Sequence, residues 1–511
     1  MLNFVESSGA VNNGTSIALV TAATFIVGIW VWSQQKPSKN FPPGPKGWPV
    51  IGNILEFASG KPPYVLFMDY AEKYGDIFSL RIGQRWTVVL NGSCTIKEAL
   101  VKKAVEFANR PNTFSLETIT EGGTDILGGQ YTQPSWKLHR KLVLSAFRSL
   151  AIGNNEHFEK LVYSVLPGMI TSLDENQSKA FDPKPLLGSC IYNILATMCF
   201  GKQYEFNGPD IAHWMELSRR FLDIGGKGLI ADFIPMFIHI PTKRARDLRE
   251  LSAEFLGKIE EEIIEHRAKY DGGEPKDLIE MLFHYKEEMK REGKEDMNQI
   301  TDTHIKQTVS DVFNAGTDTS IFTMHWCVML LCQYPDIQEK VGEEMDRVVG
   351  RDRLPSLDDR EKLTYTTATL YEVMRFGSIL PMSVPHATSK DVEIGGYDIP
   401  GDTWVLVNLY SMHYDGKLWD EPEKFKPEHF LDETGKVRLH PEGFLPFSTG
   451  RRVCLGESLA KAELFLLFTW LFQHYRFSKA EGLEGEDYSE SVSIAFTCLP
   501  RDHKVMVEKR F

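Results

Sequence analysis

Apolar and polar positions alternate in different rhythms along this chain, and each rhythm predicts a different element. Between Glu6 and Lys36 no charged side chain occurs, and Ile17 to Trp32 is almost wholly apolar. With its flanks this run reaches the ~20 residues that a membrane span needs. Further on, Ile77-Phe78-Ser79-Leu80-Arg81-Ile82 and Thr87-Val88-Val89-Leu90 flank a turn containing Gly83, which predicts a β-hairpin over 78–90. Most of the remainder follows the helical period. Leu248 to Arg267 and Lys276 to Arg291 read as amphipathic helices with solvated charged faces. A longer pattern runs from about Thr301 to Gln333, with Pro335 just beyond it. At ~1.5 Å per residue it spans roughly 45–50 Å, enough to cross a whole domain. Short strands return near 392–394 and 403–407. The fold class expected is mostly α with a minor β part, preceded by one transmembrane helix.

The flanks of the apolar run orient it. Glu6 precedes it, whereas Lys36 and Lys39 follow. The positive-inside rule then places the amino terminus in the lumen and the body in the cytosol. A cleaved signal peptide is the competing reading. Asn13-Gly14-Thr15 fits a glycosylation sequon beside the bilayer. Phe41-Pro42-Pro43-Gly44-Pro45 opens a stiff, extended connector, because proline fixes φ and blocks helix. The expected division is an anchor over 1–35, a proline-rich hinge over 36–50 and one body over 51–511.

Charge and cysteine usage narrow the function. The net charge is −13, from 57 basic and 70 acidic side chains, which argues against a general nucleic-acid binder. The seven cysteines include no C-x-x-C pair, which argues against zinc ribbons and dithiol redox motifs, and most read as small buried apolar residues.

One cysteine has chemical surroundings. Phe447-Ser448-Thr449-Gly450-Arg451-Arg452-Val453-Cys454-Leu455-Gly456 fits F-x-x-G-x-R-x-C-x-G at every fixed position. Glycines at 450 and 456 permit a tight loop close to a flat ligand, and helical sequence from Glu457 to Phe472 follows. A thiolate at that helix start meets free N–H donors, Arg452 can neutralise a ligand carboxylate, and a thiolate beneath haem iron favours O–O cleavage. The segment resembles the cysteine loop of the cytochrome P-450 superfamily.

Other segments agree in order. Glu372-Val373-Met374-Arg375 places acid and base on one helical face. The family pairs them with an arginine where this chain has His429, an imidazole that can still donate to a carboxylate. Ala315-Gly316-Thr317-Asp318-Thr319-Ser320 sits midway along the long helix. A threonine bonding back to the i−4 carbonyl would open the helix there, and Asp318 with Thr319 resembles the family's acid–alcohol proton relay. An ordinary kink is the competing reading. Trp136 and Arg140, at i and i+4, face one way and would reach a haem propionate; the resemblance adds His386 to that set, with Arg452.

The resemblance covers the whole chain and is nearest to the animal microsomal group holding the aromatic-hydrocarbon hydroxylases and the steroid 17-alpha-hydroxylase/17,20-lyases. It is carried by Ala231 to Pro235, Leu380 to His386 and Trp136 to Lys141. It implies a haem-thiolate monooxygenase with haem b on Cys454, in the endoplasmic reticulum membrane, acting on a hydrophobic substrate with dioxygen. It places Phe114, Ile126, Leu127, Phe221, Asp311, Ala315, Val384 and Ile494 near a steroid-like or planar aromatic lipophile. Asn314 departs from the glycine usual there. No flavin or nicotinamide site is visible, so electrons come from outside. Lys137, Lys141, Arg451, Arg452 and Lys461 form the expected dock for the acidic flavin domain of an NADPH–cytochrome reductase, with cytochrome b5 as a second candidate donor. Two rivals are a haem-thiolate isomerase of peroxides and a non-catalytic haem-binding gas sensor. The acid–alcohol pair argues against the first, and that pair together with the basic cluster against the second.

Overall fold

The computed structural model describes residues 35–511 apart from 59, 154, 226–227, 241, 294–299 and 495–496, together with Thr21, Thr24 and Gly28. The expected span over 17–32 and the sequon at Asn13 therefore lie, those three residues aside, outside the described residues. No described helix is long and apolar enough to cross a membrane.

The body is mostly helical. Its main helices are α1 (Pro63–Tyr74), α2 (Pro134–Phe147), α3 (Lys184–Phe200), α4 (Pro209–Gly225), α5 (Lys243–Lys269), α6 (Leu278–Arg291), α7 (Asp302–Gln333), α8 (Pro335–Val348), α9 (Thr364–Gly377) and α10 (Glu457–His474). The strands are β1 (Ile77–Ile82), β2 (Arg85–Leu90), β3 (His386–Ala387), β4 (Val392–Ile394), β5 (Tyr397–Ile399), β6 (Trp404–Val407), β7 (Tyr475–Lys479), β8 (Ser491–Ile494), β9 (Thr497–Pro500) and β10 (Val505–Lys509).

α7 is the axis. The Thr301 hydroxyl caps it by accepting from the His304 N–H at 3.3 Å, and Asp302 stands in its first turn, where the helix dipole favours an anion. Its 32 residues run about 48 Å. From Ser320 onwards it is buried almost all round, in keeping with a helix threading a core. Its largest packing partner is α3. The helix is continuous through residues 315–320, so the expected opening is absent. Thr319 Oγ1 does bond back to the Ala315 carbonyl at 2.7 Å, but it adds to the helical ladder without breaking it.

The hairpin forms as read, with Ile77 opposite Leu90. It continues in parallel onto β6 and then antiparallel onto β3, giving the order β1-β2-β6-β3. This sheet has a small core of its own around Val88, Leu90, Val405 and Val407, beside the large helical core. Phe41 to Gly44 is docked on this sheet and is no free linker. Phe41 is buried edge-on against Trp86, and the Ser79 N–H donates to the Pro43 carbonyl at 2.7 Å.

Candidate active site

Cys454 lies in the turn leading into α10. Its N–H donates to the Phe447 carbonyl at 2.9 Å and closes the loop. Gly450 takes φ +80°, and a Cβ there would stand 1.9 Å from the Leu100 carbonyl oxygen, so only glycine lets the loop approach the Leu100 backbone. At Gly456 a Cβ would meet nothing within 4 Å, so the space over it is open. The Cys454 thiol is accessible although protein encloses it. Burial pushes the thiol up, while the N–H groups of Gly456 and Glu457 and the Arg140 guanidinium pull it down. The helix start thus offsets burial only in part; a bound metal ion would remove the proton outright.

A cavity joins this loop to α7. Thr319, Ser320 and Thr323 line it from α7, Met374 from α9, Phe447 from the cysteine loop and Leu464 from α10. Ala315 is exposed in the middle of an otherwise packed helix, one turn before Thr319. Asp318 points elsewhere. Both its oxygens accept from the Ser218 hydroxyl of α4, at 2.6 and 2.5 Å, and burial pushes its carboxyl up to about 6. The acid and the alcohol therefore share a helix but face different neighbours.

Beside the loop, cations converge. Arg452 donates to the carbonyls of Ala108, Ile126 and Gly129, Arg140 to Val453, and Arg110 to Leu127, Val384 and Pro385. Arg452 also lies 4.2 Å over the Trp136 ring. Burial first, and the neighbouring guanidiniums second, push Arg452 down to about 8; burial takes Arg110 down to about 10, with Arg140 adding to the fall. His386 is brought here by β3 and by the Ala387 N–H bond to the Asn109 carbonyl. Its Nδ1 lies 2.7 Å from the Phe107 carbonyl, whereas its buried Nε2 has no partner. Burial and the two arginines push its pKa well below the ordinary histidine value.

Three expectations need correction. The single indole N–H of Trp136 donates to the Ile126 carbonyl at 2.9 Å, so it serves the loop and not a ligand carboxylate. Arg452 is buried and does not belong to the docking surface. Lys461 is held by Glu457 at 2.6 Å, which leaves Lys137, Lys141 and Arg451 exposed on that side.

The eight residues expected near substrate fall into groups. Asp311 Oδ2 accepts from the N–H groups of Ile126, at 2.7 Å, and Leu127, at 3.2 Å, so these three meet. Phe114 and Phe221 pack together against Leu229, Ala245 and Leu248. Ala315 faces open space; Val384 contributes a carbonyl to Arg110; Ile494 is 38% exposed at the tip of β8. Glu372, Arg375 and His429 do come together, with His429 Nδ1 3.0 Å from Glu372 Oε1.

Residues that the sequence did not single out complete the site. Arg110 carries no motif. Asp125 accepts from the Gly128 N–H and is pushed up to about 6, chiefly by burial, beside Asp311, which burial and Asp125 hold well above the usual carboxylate range. Glu463 had a visible signal, an acid standing directly before the apolar run Leu464 to Phe468.

Residues 42–507 match the family model described as Cytochrome P450. Among relatives, the chain is 35% identical to a steroid 17-alpha-hydroxylase/17,20 lyase of Ictalurus punctatus over 85% of this chain and 84% of that one. It is 32% identical to cytochrome P450 2U1 of Rattus norvegicus over 97% of both, and 34% identical to cytochrome P450 2D6 of Homo sapiens over 91% and 93%. The chain belongs to the cytochrome P450 family. It is an oxidoreductase of the monooxygenase class, and its cofactor is haem b held through a cysteine thiolate.

The residues present fit that group. The guanidiniums of Arg110, Arg140 and Arg452 carry positive charge that Asp125 alone does not balance, His386 Nε2 lacks a partner, and the two propionates of haem would supply the missing anions and acceptor. A carboxylate at Nε2 would raise the His386 pKa and make that nitrogen a donor. The open space over Gly456, next to the thiol, suits a flat macrocycle.

Proposed function

We propose that this chain hydroxylates a hydrophobic small molecule, steroid-like or a planar aromatic lipophile, with Cys454 as the thiolate that would hold the haem iron. Electrons come from NADPH through the acidic flavin domain of a reductase, with cytochrome b5 as a second donor. The observation that carries the reading is the cavity shared by the Cys454 loop and the α7 hydroxyls, beside a cationic cluster that Asp125 alone does not balance. The names of the steroid hydroxylase/lyase relatives support the steroid side of the substrate class.

When bound, haem supplies dioxygen activation and insertion of one oxygen atom into the substrate. The chain does the rest. Arg452, Arg140, Arg110 and His386 would hold the propionates. The Thr319 proton is directed at the Ala315 carbonyl, which leaves its oxygen free to accept from the cavity side. Asp318 keeps a proton to about pH 6, and that proton reaches Thr319 through a bridging water or a rotated carboxyl. Ile126, Leu127, Phe114, Phe221, Val384 and Ile494 form the apolar side of the substrate pocket, and Asp311 pins the loop at 126–127 over it.

Residues 1–35 anchor the chain in the endoplasmic reticulum membrane with the body in the cytosol. An apolar patch supports this: Trp48, Val50 and Leu55 on one segment, and Met236, Ile238 and Ile240 on another, are exposed. Both segments sit against the β1–β2 turn, where Gly52 bridges Ile82 and the Gln84 N–H donates to the Phe233 carbonyl at 2.9 Å. Exposed Lys137, Lys141 and Arg451 support docking of the reductase.

The test is turnover of the haem-loaded protein with reductase and NADPH on a panel of steroids and polycyclic aromatics. NADPH-dependent hydroxylated product is expected. No such product from any member of the panel would overturn the reading.

A further inference from the structure

Glu463 is 2% exposed on the apolar helix α10. Its Oε2 lies 3.3 Å from the Ser320 hydroxyl of α7, and its Oε1 has no partner. Charged groups on the neighbouring elements are engaged elsewhere. Glu372 and Arg375 of α9 hold each other, Glu344 of α8 accepts from the Tyr365 and Thr366 N–H groups, and Lys461 holds Glu457. A buried carboxyl without a cation stays protonated, and burial pushes Glu463 up to about 8. Ser320, to which it is bonded, lines the cavity that Thr319 and Thr323 also line. Nothing in the relay of Asp318 and Thr319 uses this acid.

We propose that Glu463 is a proton-positioning residue for dioxygen reduction, delivering through Ser320 to the cavity lined by Thr319 and Thr323. The inference rests on the proposed function, which places dioxygen beside Thr319. A monooxygenase turnover takes up two electrons, from the external reductase, and two protons, and releases one oxygen atom as water. Asp318 on the α4 side holds one proton and Glu463 on the α10 side the other. In the step, the Ser320 hydroxyl, which donates to Glu463 Oε2 in this structure, turns its proton towards the cavity; the carboxyl O–H of Glu463 then breaks and an O–H forms on Ser320. The original Ser320 proton leaves to an acceptor in the cavity. The Glu463 carboxylate regains a proton along the same hydroxyls when the cavity exchanges with water between turnovers.

The test has two arms on the haem-loaded protein. Without turnover, at neutral pH, infrared difference spectra of wild type against Glu463→Gln should show a protonated carboxylic acid band that shifts in heavy water and survives in Asp318→Asn and in Asp311→Asn. Its absence from the wild type overturns the proposal. In turnover, Glu463→Gln and Ser320→Ala should lower product formed per NADPH by about tenfold with a matching rise in released hydrogen peroxide, and Ser320→Thr should restore it. Unchanged coupling in both variants of an active enzyme overturns the proposal. If Glu463→Gln fails to fold, the Ser320→Ala and Ser320→Thr pair decides by the same criterion. A wild type with the infrared band but no NADPH-dependent product marks failure of the monooxygenase reading, and it removes the reaction this proton serves.

Discussion

Glu372 and Arg375 grip each other through both arms of the guanidinium, each at 2.7 Å, with both side chains wholly withdrawn from solvent. The remaining donors are also used. Arg375 reaches the carbonyls of His413, Pro422 and Lys424, and Glu372 accepts from the Lys426 N–H and lies 3.0 Å from His429 Nδ1. A buried pair this well satisfied is costly to break from one side, because the survivor is left charged and unpaired. Arg375→Ala should therefore lose about 3–5 kcal/mol in urea unfolding. His429→Ala, which removes one hydrogen bond of several to Glu372, should lose about 1–3 kcal/mol. Equal losses from the two would contradict the hierarchy.

Gly450 is the point where the cysteine loop meets the Leu100 carbonyl. Neither backbone can retreat cheaply from a Cβ at 1.9 Å, and φ +80° strains any other residue. Gly450→Ala should fold its helical core yet carry little or no haem, read as haem absorbance per protein. Full haem content would show that the loop can move.

Stability should depend on pH through two buried acids. Asp318 is raised from 3.8 to about 6, and Glu463 from 4.5 to about 8. An acid whose pKa is raised in the folded state holds its proton more tightly there. Its contribution is complete below the unfolded value and is lost as pH rises through the folded one. The window is about pH 4–6 for Asp318 and about 4–8 for Glu463. Asp318→Asn should match the wild type near pH 4 and exceed it by up to about 3 kcal/mol near pH 7 in urea unfolding. Parallel curves across that range would refute the assignment.

How much of this was legible in the sequence depends on what carried the signal. The ends of α7 were readable because Thr301 caps one and Pro335 stops the other. The cysteine loop was readable because its glycines and arginine sit at fixed spacing. The hairpin was readable because its alternation breaks at Gly83. What escaped was pairing across long separations. Asp311 meets Ile126, 185 positions away, and Ser218 meets Asp318, 100 away, and no local pattern encodes either. Trp136 was placed on the right side of the cysteine loop, but its indole N–H was given the wrong partner. Spacing shows which way a side chain faces, whereas only the folded loop shows that the Ile126 carbonyl already occupies the one indole donor. Glu463 could have been found, since one acid inside an apolar helix must be either paired or protonated.

The central claim is that Cys454 holds the haem iron. It is tested most directly by the absorption spectrum of the reduced, carbon monoxide-bound protein. The wild type should show the band characteristic of a thiolate ligand, and Cys454→Ser should abolish it while the buried cysteines Cys190, Cys199, Cys327, Cys332 and Cys498 remain. Survival of that band in Cys454→Ser would contradict the account.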